Sequence, residues 1–431
     1  MHSRRSFVQQ ALALGAGSFL PMGWARAATS GKKPPYLVVV VAAGGWDTTY
    51  CLDPKYSTDF VHGPDADPDG GDESIGTYGY DLQVMVNDAK RPSVSRFFDK
   101  YGSNSTIVRG IQVGSIAHRS SMDRMLTGTR AGATAPDFAA IVGSTYGATL
   151  PLGCVDMCGQ SRSGPLAASI GRIGASSQIV TLLDREDAFQ APAEMGVQYP
   201  QIVPTAGDEE ALESYLEQRI AALESKRASG GLNAAHVADF RESMLRKALV
   251  QGKSEQFLEG LRLGQTVAHA DLSKLVTGLF TNGICQSVIL DSSERWDTHS
   301  TNTDQHDSYE GLFDTLGGMV DAIDAAGILD DTVVVVLSEL GRMPALNEDL
   351  GKDHWPVTSA LLVGPRVGTG RALGGTTNSV AACTVDLASG ELDENSGMVI
   401  NYESFTAGVL QALDVDPGEW ISEDTTPLGI V

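Results

Sequence analysis

Cysteine is scarce in this sequence and odd in number. Five cysteines, at 51, 154, 158, 285 and 383, exclude a fully paired intramolecular framework. A cysteine-based zinc site would need a second close pair beside Cys154 and Cys158, and the sequence has none. Those two, in GCVDMCG, either pair in an oxidising compartment or stay as buried thiols. Positive charge is short as well: 31 Lys and Arg stand against 54 Asp and Glu, a formal −23. A field of that sign repels nucleic acid and anionic lipid, so no nucleic-acid partner is expected. An anionic substrate would need local help from a metal or from arginines. Beyond the N-terminus no run is long and apolar enough for an integral membrane span. No internal repeat is present.

The first 27 residues read as an address. Arg4 and Arg5 lie in SRRSFVQ, an uncharged stretch runs from Ala11 to Gly23, and Ala25-Arg26-Ala27 is a small-x-small cleavage pattern. This pattern is that of a twin-arginine export signal cut after Ala27. It implies the twin-arginine translocase as a partner and a periplasmic or extracellular destination. Its removal takes away three arginines and no acids, so the mature chain is more acidic still. Residues 28–431 are long enough for a large core and are read as one domain.

Two valine-rich runs stand out. Tyr36 to Ala43 (YLVVVVAA) and Val333 to Leu337 suit strands buried on both faces of a parallel sheet. The first ends in Gly44-Gly45-Trp46-Asp47, the second in Ser338-Glu339-Leu340-Gly341-Arg342. A carboxylate released at the C-terminal end of a central strand sits where open α/β sheets place their ligands. The glycines let the chain turn so that Asp47 points across the sheet edge; the alternative is that Asp47 caps the next helix. Cys285 to Leu290 (CQSVIL) reads as another strand, leading to Trp296-Asp297-Thr298-His299, with Asp304 and His306 behind. An Asp and a His two apart in a bent strand-end loop can face one metal. Asp353 and His354 follow the Glu339 loop.

Helices are expected at Pro92 to Tyr101, Phe138 to Gly147, around the stripe Leu312 to Ile323, and at Tyr402 to Leu413. Shorter strands are expected at Ser105 to Val108, Leu152 to Asp156, Gln178 to Leu183 and Ala360 to Val363. Met122, Met125 and Leu126 have helical spacing, which makes His118 to Ser121 a first turn whose free N–H groups favour an anion. From Asp208 to about Phe257 the chain reads as helical, broken at Gly230-Gly231. Leu212, Tyr215, Leu216, Ile220 and Leu223 form an apolar stripe there, as for a helical insertion (about 206–258) packed over the sheet. Asp65, Asp67 and Asp69 mimic the start of a calcium loop. Gly76 stands where the bidentate acid belongs and Pro68 intrudes, so Asp53 to Leu82 reads as a solvated acidic loop. Pro192 to Pro204 reads as irregular and Gly368 to Thr377 as a turn region. The alternation of strands and helices argues for an α/β fold with a largely parallel sheet.

The twin-arginine start, GGWD at 44–47, H-x(7)-LTG at 118–128, ERWDTH at 294–299, SELGRMP at 338–344 and GKDHW at 351–355 share an order and spacing. Over most of the mature chain this resembles the domain of unknown function 1501 family of secreted bacterial proteins. That family is similar to the alkaline phosphatase and sulfatase superfamily. The resemblance implies a three-layer α/β sandwich with a mostly parallel central sheet, here with a helical insertion. It also implies roles by position. The superfamily's first metal-binding Asp falls on Asp47. The motif C/S-x-P-S-R-x-x-x-L-T-G, set on Leu126-Thr127-Gly128, puts His118 at the nucleophile position and Met122 at the arginine, with Arg119 and Ser121 nearby. The strand-end S-D-H-G falls on Ser338-Glu339-Leu340-Gly341, where Glu339 can serve as a ligand and Leu340 cannot. The other metal site, an Asp and two His, matches Asp297, His299 and His354.

Chemically, Asp297, His299 and His354 make a three-ligand N/O site with room for water, which suits a catalytic zinc. Asp47, Glu339 and His118 are candidates for a second divalent ion, zinc, manganese or calcium. Asp353 and His306 are candidates to orient the ligands from behind. Either His118 attacks and carries a phosphoryl group, or activated water attacks and His118 is a ligand or acid/base. Ser120 and Ser121 are the neighbours to consider if the register is shifted. The expected function is an exported metal-dependent hydrolase of phosphate or sulfate esters, acting on a small anionic ester or a glycan. The competing expectation is a non-catalytic binding protein on a hydrolase fold in the cell envelope, motivated by the missing nucleophile and by Leu340.

Overall fold

Valine sets the centre of the molecule. The computed structural model describes residues 33–68, 71–131, 134–172, 205–226, 233–252, 269–422 and 424–431. The segments read as an export signal (1–27), as a strand (178–183), as irregular (192–204) and as a helix break (230–231) lie outside the described residues. The main sheet is built from β1 (Tyr36–Val41), β2 (Ser105–Gln112), β3 (Cys154–Asp156), β4 (Ile170–Arg172), β5 (Ser287–Asp291), β6 (Thr332–Leu337), β7 (Val357–Val363) and β8 (Arg371–Gly374). Their order is β8-β2-β7-β6-β1-β5-β3-β4. Every adjacent pair is parallel except those of β7, which runs antiparallel to β2 and β6. β8 forms inside the expected turn region.

Among the described residues the helices are α1 (Pro92–Tyr101), α2 (His118–Thr127), α3 (Phe138–Tyr146), α4 (Ala206–Lys226), α5 (Asn233–Gly252), α6 (His269–Thr281), α7 (Gln305–Ala325) and α8 (Tyr402–Ala412). Successive strand residues face opposite sides of the sheet. Val38, Val40, Val334 and Val336 pack with Phe98 of α1, Phe280 of α6 and Phe313 of α7. Leu37, Val39, Val333 and Val335 pack with Met125 of α2, Ile141 of α3 and Phe405 of α8. The result is a three-layer α/β sandwich. Two covered faces explain why these strands are continuously apolar rather than alternating.

The chain from Pro35 to Val431 is one compact unit. Within it α5 packs on the short turn Gly164–Ser169, and Arg246 Nη1 donates to Leu150 O at 3.1 Å. The stripe expected on α4 is covered only in part: Ile220 is buried, but Leu212 and Tyr215 stay more than half exposed. The acidic loop is less solvated than expected. It contains the hairpin Ser74–Tyr78 with Leu82–Val86, and Asp53 and Asp67 are buried. Asp65 Oδ1 accepts from Ser57 N and Oγ, so the calcium-like spacing serves a protein turn. All five cysteines are free thiols. Cys154 lies inside β3, while Cys158 lies beyond the strand end, where its N–H donates to Asp156 Oδ1. Among the described residues no helix is long and apolar enough to cross a membrane.

Candidate metal centre

β1, β5 and β6 are neighbours and parallel, so the loops leaving their C-terminal ends meet at one sheet edge. Two of these loops carry Trp-Asp. Trp46 and Trp296 are wholly buried, edge to face with ring centroids 6.0 Å apart. Each indole N–H has a buried acceptor, Thr358 Oγ1 at 2.9 Å and Ser292 Oγ at 2.8 Å. The tryptophan anchors each loop through apolar area and one polar bond. Gly44 has φ +128°, and a Cβ there would lie 2.8 Å from Asp297 N, so only glycine lets the two loops touch.

Four side chains converge above this edge. His118 is the first residue of α2, and His354 starts the two-residue ribbon His354–Trp355 paired with Gly341–Arg342. Asp297 Oδ1 is 3.1 Å from His299 Nε2 and 3.2 Å from His354 Nε2, and those nitrogens are 3.0 Å apart. His118 Nε2 is 3.5 Å from Asp297 Oδ2. Ligand atoms of His118, Asp297 and His354 lie within 4.8 Å of one another, so these residues form a His/Asp group able to hold a metal ion. Bonds of about 2.0–2.1 Å to a tetrahedral ion put neighbouring donors roughly 3.3 Å apart, and the donor set here fits that size.

Each imidazole is fixed from behind. The Nδ1 atoms lie 2.7 Å from Glu339 Oε1 for His118, 3.1 Å from Asp353 Oδ1 for His299 and 2.8 Å from Ile116 O for His354. Those oxygens accept the Nδ1 protons, which leaves the Nε2 lone pairs facing inward. Burial pushes the Asp297 carboxyl up, but Arg342 and His354 outweigh it and hold the group at about 2. The bond to Glu339 raises the His118 pKa, helped by the charge of Asp297. Asp353 is held low by its bond to His299. Gly351 is needed here too: a Cβ would lie 2.0 Å from His299 C, so GKDHW can lie this close to His299 only with a glycine.

Asp47 stands apart from the cluster. Its Oδ1 accepts from Thr49 N and Oγ1, capping the turn Thr48–Tyr50, and its Oδ2 accepts from Asn302 Nδ2 at 2.9 Å and Lys352 Nζ at 2.6 Å. Asp47 is thus brought to a buried ammonium and not to His118 or Glu339. His306 is not behind the ligands either. Its Nε2 is 3.1 Å from Asp67 Oδ2, in a separate buried group with Tyr50 and His62. Arg119 is exposed, and Ser121 is buried with no hydrogen-bond partner for its Oγ among the described residues. Neither joins the cluster.

Sequence reasoning missed Arg342, Lys352, Asn302 and Gln305. Arg342 is buried and donates Nε to Gly45 O, Nη1 to Lys352 O, and Nη2 to Gly44 O, Trp296 O and Asp297 Oδ1. Gln305 accepts from Asp47 N and donates to Trp296 O, which joins the two Trp-Asp loops. The one hint in the sequence is that Lys352 shares a motif with His354, and Arg342 shares one with Glu339.

No curated protein matches the chain in sequence. Among solved structures, a protein in the alkaline phosphatase superfamily from Vibrio parahaemolyticus aligns with 96% of this chain and 76% of its own, at 8% identity and a TM-score of 0.38. A sulfatase from Pseudoalteromonas sp. aligns with 92% of this chain and 74% of its own, at 9% identity and a TM-score of 0.38. The lipooligosaccharide phosphoethanolamine transferase A from Neisseria meningitidis, an integral membrane protein, aligns with 99% of this chain and 64% of its own, at 12% identity and a TM-score of 0.39. The family model described as "Protein of unknown function (DUF1501)" matches residues 35–392, and the chain belongs to that family.

Proposed function

We propose that the protein is an exported, divalent-metal-dependent hydrolase of phosphate or sulfate esters. The observation that carries this reading is the convergence of His118, Asp297, His299 and His354, with each ring fixed at Nδ1 by an oxygen acceptor. These four side chains would hold the ion, and zinc is the choice that fits the N/O set. A bound ion supplies Lewis acidity toward an ester oxygen and acidifies water near neutral pH. His118 is read as a ligand rather than a covalent nucleophile, because Glu339 holds its Nδ1 and its Nε2 faces Asp297. Arg342 keeps Asp297 ionised. The first-turn N–H groups of α2 favour an anion beside His118.

Protein purified without chelators is expected to carry near-stoichiometric zinc or manganese that disappears in Asp297→Ala and His354→Ala. Aryl phosphates and sulfates, or a sulfated glycan, should be turned over only by the loaded wild type. The second reading is a non-catalytic binding protein of the cell envelope, favoured because Ser121 is buried away from the cluster and Leu340 is fully buried. Loaded protein that turns over no ester in a broad panel supports this reading. Export through the twin-arginine translocase to the periplasm or beyond is proposed from Arg4, Arg5 and Ala25-Arg26-Ala27.

A further inference from the structure

The two-ion pattern implied by the superfamily asks Asp47 to bind metal, and the residues around Asp47 do not fit that role. Lys352 is fully buried with its Nζ 2.6 Å from Asp47 Oδ2, and the same Nζ donates to His62 O at 2.7 Å. The rest of the carboxylate is taken by Thr49 and Asn302. Both oxygens are therefore already bonded to protein donors, and no lone pair is aimed at the cluster. Removing one partner of a buried ion pair leaves an uncompensated charge, so an incoming ion would have to displace the ammonium and bury it elsewhere.

Charge points the same way. Asp47, Asp297, Glu339 and Asp353 supply four negative charges around the edge, and Lys352 and Arg342 supply two positive ones, each in contact with one of these carboxylates. The formal remainder is −2, which a single divalent ion neutralises.

Resting on the metal reading above, we propose that Lys352 holds Asp47 in place of a second ion, so that the site takes one divalent ion per chain and Asp47 is a positioning residue. Asp47 then acts through the loop. Its main-chain N–H is bonded to Gln305 and its side chain to Lys352, next to Asp353 and His354 in GKDHW. The buried pair fixes where the His354 strand begins.

Two measurements on the full-length protein test this. The first is zinc stoichiometry by mass spectrometry after saturation and gel filtration, for wild type, Asp47→Asn and His354→Ala. One zinc per chain in wild type and in Asp47→Asn, with none in His354→Ala, is the expected result. Two per chain with one lost in Asp47→Asn would overturn the proposal. The second is lysine acylation by acetic anhydride, mapped by peptide mass spectrometry on wild type with and without zinc, which needs no variant to fold. Lys352 should stay unlabelled in both states while the exposed Lys274 reacts. Labelling of Lys352 at the rate of Lys274, or its appearance on adding zinc, would also overturn it. If no zinc binds at all, the hydrolase reading falls, and protection or labelling of Lys352 still decides whether Asp47 is closed to a metal.

Discussion

Arg342 joins the fold to the site through one side chain, and its replacement by methionine has a calculable consequence. The guanidinium donates to the carbonyls of Gly45 at 2.7 Å, Lys352 at 2.9 Å, Trp296 at 2.9 Å and Gly44, and to Asp297 Oδ1 at 2.6 Å. Arg342→Met keeps a chain of similar reach and donates nothing. A buried acceptor left without its donor costs about 1–3 kcal/mol. Asp297 is nearly half exposed, so water replaces the lost donor there and little is added. Trp296 O keeps the donors Gln305 and Thr298, so three carbonyls are left bare, and the low end for them alone is about 3 kcal/mol, against the roughly 5–15 kcal/mol that typically stabilises a domain. Arg342→Lys keeps the charge but gathers its three donors on one atom, and should recover about half of the loss. Urea denaturation followed by tryptophan fluorescence is the assay, because Trp46 and Trp296 lie under the loops that Arg342 joins. The midpoint should fall far for the Met variant and less for the Lys variant. A Met variant within about 1 kcal/mol of wild type, an ordinary surface effect, would refute the role of Arg342 as the strut between these loops.

Glu339→Gln keeps the shape behind His118 and removes the charge; zinc affinity is expected to fall about 10–100-fold, as for other outer partners of ligand histidines. The His118 titration, read by NMR on metal-free protein, should move down toward 6.5, since the bond to Glu339 is the leading cause of its rise. The raised pKa also fixes a sign with pH. Protonated His118 stabilises the metal-free fold below the ordinary imidazole range, and this contribution is lost as pH rises through the raised value. Zinc needs the deprotonated ring, so its affinity in a chelator competition should climb with pH through a midpoint above 6.5, and a midpoint below it opposes the assignment of His118 as ligand. Gly351→Ala places a Cβ 2.0 Å from His299 C and forces the GKDHW loop outward; calorimetry should show zinc binding at least about tenfold weaker, and unchanged binding would show that the close approach is dispensable.

The centre of the fold is legible because burial on both faces leaves no polar position from Leu37 to Val41 in β1 or from Val333 to Leu337 in β6. The direction of β7 is not, since a strand covered on both sides has the same pattern whichever way it runs. β8 hides in a Gly/Thr-rich stretch whose composition signals a turn. Among the site residues, Asp297, His299 and His354 can be named one at a time as polar groups after strands, but their meeting point depends on the sheet order. His118 approaches them from a helix that follows β2, well away in sequence. Arg342 and Lys352 give no signal beyond their place in the motifs, because a charged residue in a polar loop reads as solvated until another loop closes over it. For Asp47 two readings stood open, ligand and cap, and its geometry is that of a cap reinforced by an ammonium.

The five thiols carry a consequence of their own. Burial pushes all of them up, Cys51 to about 12, and keeps them in the unreactive protonated form. In this structure all five are free, and no cross-link contributes to the packing around them. With their thiolate fractions held low, they are expected to react slowly with an alkylating reagent as long as the fold is intact.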